Sequence, residues 1–212
     1  MRKWYPIAIV AAAAVASALA WARLPDRVPV HWNAAGAVDR YGSRLEGVLL
    51  MPLVMLGVAL LIPLLPRIDP RGGNYARFAP TYHLVMNATL TFMLVVHLAI
   101  LAAALGARID VARVVPVAIG ALLVVLGNVL PRTRPNWMFG IRTPWTLSND
   151  RVWERTHRVG GYLLLGAGLV VALAGLLLPG ERGMAVLVAT VLAVALGTVV
   201  YSYVAWRQET RP

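Results

Sequence analysis

An all-α membrane protein is the fold class this sequence predicts. The expected form is a six-helix transmembrane bundle with a small extracytoplasmic cap between helices 1 and 2 and an amphipathic cytoplasmic segment between helices 4 and 5. Three observations predict it. Six apolar blocks each approach the roughly 20 residues a bilayer crossing needs. None of the six contains Asp, Glu, Lys or Arg, and one charge at a helix centre costs about 2.5–3.5 kcal/mol on insertion. All seven Trp lie in loops or near block ends, where aromatic belts sit.

The blocks are Trp4–Ala22, Gly47–Pro66, a core of about His83–Leu105, Val114–Pro131, Val159–Pro179 and Gly183–Trp206. They organise the chain into residues 1–66, 67–131 and 132–212. With both termini inside, thirteen of the twenty Lys and Arg fall on the cytoplasmic side and seven outside, the asymmetry of an inner-membrane protein. The net charge of +11 has the same origin, because the basic residues flank the apolar blocks; direct nucleic-acid binding is not expected. The chain has no cysteine, which excludes disulfides, thiol catalysis and thiolate metal sites. Met-Arg-Lys, the first apolar run and Ala18-Leu19-Ala20 resemble a signal peptide, but the run is longer than a typical h-region and reads as an uncleaved helix.

The first loop, residues 23–46, alternates at Val28-Pro29-Val30-His31-Trp32, turns at Asn33–Gly36 and resumes at Val38–Tyr41. This predicts a small hairpin cap, irregular because Pro29 cannot donate to a ladder. The second loop carries Asp69-Pro70-Arg71-Gly72-Gly73-Asn74, which reads as flexible turn chemistry. In span three His83, Asn87, Thr91 and His97 fall within a sector of about 120°; they line a polar cavity or bond a neighbouring helix, for instance at Asn128. In span six Ala185, Ala189, Ala193 and Gly197 recur every four residues. That small-residue stripe suits intramolecular packing or a homodimer seam.

The central loop, Asn136–Gly161, is the most polar and aromatic run in the chain. Gly140 marks a turn, and Pro144 bars Thr143 from helical conformation. Ser148 reads as the N-cap of a short amphipathic helix lying in the interface, with Val152, Trp153 and Thr156 on one side and Arg151, Glu154, Arg155 and Arg158 on the other. Glu154 and Arg158 are spaced as a favourable pair. Arg142 suits docking a partner's carboxylate or a lipid phosphate. Trp145 and Trp153 read as interface anchors.

This loop resembles a known family. Asn136, Gly140-Ile141-Arg142-Thr143-Pro144-Trp145-Thr146-Leu147 and Val152-Trp153 are similar to the central motif of the Sdp-type immunity proteins, small bacterial integral membrane proteins. Leu24-Pro25, Val28–Trp32, Gly36 and Tyr41-Gly42 resemble the uncharacterised DUF1648 domain that begins the same proteins. The resemblance implies protection against a secreted membrane-active peptide toxin. It also implies signalling, in which the toxin-bound protein holds a transcriptional autorepressor at the membrane. The expected toxin-facing residues are Pro29, His31, Trp32, Gly36, Asp39 and Tyr41. The expected repressor-facing loop comprises Asn136, Gly140, Arg142, Thr143, Pro144, Trp145, Thr146, Leu147 and Trp153, although Asn136, Thr143 and Thr146 are better suited to hydrogen-bonding the backbone and shaping the loop.

No cofactor or metal is expected. His31 with Asp39, and Glu154 with His157, are the acid–base pairs a membrane-embedded hydrolase would have to use, and no HExxH or GxSxG occurs. A small transporter is the other alternative, but all nine acidic residues lie outside the blocks, whereas coupled carriers place carboxylates inside the membrane.

Overall fold

The computed structural model describes residues 4–33 and 37–211. Its helices are α1 (Tyr5–Ala20), α2 (Arg44–Ile68), α3 (Ala79–Ala104), α4 (Val111–Val129), α5 (Pro144–Ser148), α6 (Asp150–Leu177) and α7 (Gly180–Glu209). Strands β1 (Arg27–Trp32) and β2 (Val38–Ser43) join α1 to α2. Six of the helices, all but α5, are long and apolar enough to cross a membrane. The chain is an α-helical multi-pass membrane protein, and the hairpin is a minor addition.

Helices α2 and α7 run beyond their apolar blocks at both ends and α3, α4 and α6 at their starts, because backbone hydrogen bonding continues past the hydrocarbon boundary, whereas α1 stays within its block. The largest departure is α6, which starts at Asp150 rather than Val159. The expected interfacial helix is therefore the first turns of span five, not a separate element lying flat. Its N-cap is Asn149, not Ser148: Asn149 Oδ1 accepts from the Arg151 and Val152 amides at 2.9 and 3.2 Å. Ser148 ends α5 instead.

Helices α1, α2 and α3 pack around Ala13, Met55, Ile62, Tyr75, Phe78, Tyr82 and Leu90. Near the cap, Ala20, Leu24, Val28, Val48 and Leu101 form a second cluster that seats the hairpin on the bundle. A Cβ on Gly47 would stand 2.8 Å from the Val28 side chain, so β1 lies directly on the start of α2. The strands are antiparallel, with register irregularities on either side of His31, as Pro29 demands.

Helices α4 and α6 meet backbone to backbone. A Cβ on Gly127 would stand 2.6 Å from the Gly161 carbonyl oxygen, and one on Gly168 would stand 2.6 Å from that of Gly120. Gly161, Gly168 and Gly175 recur at heptad spacing on α6, opposite Gly127, Gly120 and Pro116 on α4. In lipid, close approach of this kind replaces the hydrophobic force as the source of helix association. The stripe on α7 behaves differently: Ala185, Ala189 and Ala193 are exposed, and Gly197 has only Leu163 near it. The intramolecular use expected of that stripe is absent there and belongs to the α4–α6 glycines instead.

Candidate functional site: the loop between α4 and α6

Residues 130–149 fold over one end of the bundle, on the opposite end from the hairpin. Asn136 is fully buried and organises the first half of the loop. Its Oδ1 accepts from the Met138 and Phe139 amides at 3.0 and 2.6 Å, and its Nδ2 donates to the Arg134 carbonyl at 2.8 Å. The Tyr75 hydroxyl donates to Asp69 Oδ2 at 3.0 Å and lies 3.3 Å from Asn136 Oδ1. Asp69 also accepts from the amides of Trp137 (2.9 Å) and Arg71 (2.7 Å).

The connection between α2 and α3 is thus part of this site. It is not the flexible loop its turn residues suggested. Gly72–Phe78 is a 3-10 helix, Tyr75 and Phe78 are buried, and Phe139 joins their aromatic cluster with Tyr82. The spacing of Tyr75, Phe78 and Tyr82 carried that signal in the sequence. Asn74 Nδ2 donates to the Pro135 carbonyl at 2.7 Å, and Arg71 reaches Asp150 at 2.8 Å.

Gly140 has φ +107°, a conformation that favours glycine, and a Cβ there would collide with His157 Nε2. His157 is buried. Its Nε2 accepts from the Ile141 amide at 3.0 Å and its Nδ1–H donates to the Trp153 carbonyl at 2.9 Å. That pairing fixes the neutral tautomer. The Trp153 indole stacks on the imidazole at 3.9 Å. Trp153 is therefore a core residue, completely buried, and not an interface anchor. Glu154 points away to Arg134 at 3.3 Å, so neither the Glu154–Arg158 pair nor a Glu154–His157 pair forms.

Thr143 N-caps α5 in a reciprocal box with Thr146, and Pro144 occupies the first turn, where its missing N–H costs nothing. The Thr143 hydroxyl donates to Ser202 Oγ on α7 at 3.0 Å, since Ser202 spends its own proton on the Val199 carbonyl. Trp145 packs on Tyr203, ring centroids 5.1 Å apart. Arg155 donates to Glu209 and Gln208 at the end of α7. Of the nine residues expected to face a partner, Asn136, Thr143, Thr146 and Trp153 are buried, and Gly140 lies tight against His157. Trp145 and Leu147 are half-buried, while Arg142 and Pro144 are exposed. Arg142 Nη1 donates to the Trp137 carbonyl at 3.1 Å, and Trp137 itself is 47% exposed.

The hairpin carries the other expected set. His31 Nδ1 and Asp39 Oδ1 are 2.6 Å apart on its exposed surface, Tyr41 stands beside the Arg27 guanidinium, and Pro29 and Trp32 are half-buried. Gly36 lies outside the described residues. The polar residues of α3 divide. His97 Nε2 and Ser17 Oγ are hydrogen-bonded at 2.9 Å, and Tyr5 donates to Thr91 Oγ1 at 2.7 Å, the Thr91 proton being spent on the Asn87 carbonyl. Their partners are on α1, not at Asn128, which is exposed. His83 is exposed, and Asn87 faces a groove.

The SdpI/YfhL protein family matches residues 132–202, from the start of this loop to Ser202. The domain of unknown function DUF1648 matches residues 8–56, which contain α1, the hairpin and the first half of α2. Immunity protein SdpI of Bacillus subtilis (strain 168) is 24% identical over 197 residues, covering 93% of this chain and 92% of that protein. The chain is similar to SdpI-type proteins over nearly its whole length. The SdpI-type match ends where Ser202 closes the hydrogen bond to Thr143. A 63-residue stretch is 46% identical to threonine-phosphate decarboxylase of Sinorhizobium sp., but it spans 18% of that enzyme and carries no activity over. No solved structure matches.

Proposed function

We propose that this is a non-enzymatic immunity and signal-relay protein of the bacterial cytoplasmic membrane. It would protect its cell from a secreted membrane-active peptide and hold a transcriptional autorepressor at the membrane. The observation that carries the reading is end-to-end similarity to an immunity protein, 93% of this chain and 92% of the relative. The excess of Lys and Arg on the side of the α4–α6 loop supports a cytoplasmic loop, cytoplasmic termini and an outward hairpin.

Helix α2 supplies the physical link a relay needs. It begins under β1 and ends at Asp69, whose carboxylate holds the Trp137 amide. Ligand contact at the hairpin would tilt this rod and change how the loop presents Trp137, Arg142 and Pro144, a shift between two packings. The test is expression in cells sensitive to the cognate peptide, with survival and membrane potential measured. Protection with a held membrane potential supports the reading. Unchanged killing, with no soluble regulator co-purifying, overturns it.

A further inference from the structure

An open groove of about 1050 Å³ lies between α1, α3, α4 and α6. It follows α3 from Leu84 to Val95, about 16 Å, and α4 from Arg113 to Val125, about 18 Å, at 1.5 Å per residue. Its walls are almost wholly apolar: Phe92, Val117, Ala118, Ala121 and Leu122 among others. One feature does not suit acyl chains. Asn87 lines the groove, its carbonyl oxygen accepts from Thr91, and its carboxamide makes no hydrogen bond among the described residues. Asn87 stands about 12 Å along α3 from Ala79, four residues inside the apolar block that begins at His83. An unmet amide at that depth is costly, and lipid tails offer it nothing. At the other end the half-exposed Arg113, sharing Asp110 at 3.3 Å, places a cation at the mouth.

We infer that this groove docks a membrane-inserted, largely apolar peptide segment that brings one hydrogen-bonding side chain to Asn87. The inference rests on the proposed role only in taking a peptide within the bilayer as the thing to be met. A peptide span is long enough to cover the groove from Arg113 to Asn87 and, unlike acyl chains, carries amide or hydroxyl groups below the headgroups. The lining near Asn87 also holds Tyr5 and Thr91, already bonded to each other, so the free carboxamide sets the specificity.

The experiment uses the full chain in phosphatidylethanolamine/phosphatidylglycerol vesicles with two synthetic Leu/Ala spans, identical but for a central asparagine or leucine, each carrying a benzophenone. The asparagine span should label α3 and α4 at least threefold more than the leucine span. Asn87→Leu should remove that difference. Ala121→Trp, at an exposed groove position, should reduce labelling by both, and the melting temperature of each variant in detergent checks its folding. Equal labelling by the two spans, or labelling that Ala121→Trp leaves unchanged in a folded protein, overturns the inference. So does a photoactivatable phospholipid that occupies the groove and is not displaced by the asparagine span. Killing assays read the other claim separately. Labelling as expected without protection by the wild type sinks the immunity role alone, whereas protection without labelling sinks the groove alone.

Discussion

Asn136 and Arg142 stand six residues apart in the same motif and do opposite things. Asn136 is spent inward on two loop amides and a carbonyl; Arg142 is exposed and donates to the Trp137 carbonyl. Asn136→Ala should therefore strand buried amides at about 1–3 kcal/mol each and lower thermal stability in detergent. Arg142→Ala should change stability by less than about 0.5 kcal/mol and abolish regulator recruitment, read by co-purification, while leaving protection largely intact. If both functions fall together at normal membrane levels, the division of roles between loop and hairpin is wrong. Gly140→Ala combines a left-handed backbone with a clash against His157. Its expected cost is about 1–3 kcal/mol, visible as a lower denaturation midpoint.

At the scale of elements, span number and order were legible because the apolar blocks are long and uncharged, and the hairpin because alternation, turn residues and Pro29 sit together. Other features were hidden for physical reasons. The first turns of α6, up to Arg158, carry five charges, so hydropathy stops short of them, yet Val152, Trp153, Thr156 and His157 bury one side. The 69–78 connection looks like a turn because Gly72 and Gly73 outweigh Tyr75 and Phe78 in a local reading; its order comes from Asp69 and Asn136 meeting across the chain. The α7 stripe drew attention as small residues at four-residue spacing, whereas the working glycines are seven apart on two helices. Gly127→Leu or Gly168→Val should force α4 from α6 and cost about 1–3 kcal/mol or more. Gly166→Val, with open space around its Cβ position, should be close to neutral. Unfolding in increasing SDS measures all three, and equal loss from all would remove the glycine interface from the account.

At the scale of the whole molecule, two chemical surfaces are separated by the spans and joined by α2. Asp69→Ala leaves the hairpin untouched and cuts α2 from the Trp137 amide. Regulator recruitment in that variant should no longer depend on added peptide, while protection persists; recruitment that still tracks peptide addition would remove α2 as the relay. The sidedness of the surfaces is the claim under everything else. The chain has no cysteine, so a single introduced thiol reports its own side. Asp39→Cys and Arg142→Cys should be labelled in intact cells by a membrane-impermeant maleimide in the first case only, the second reacting after permeabilisation. Labelling of both, or of Arg142→Cys alone, from outside would contradict the account.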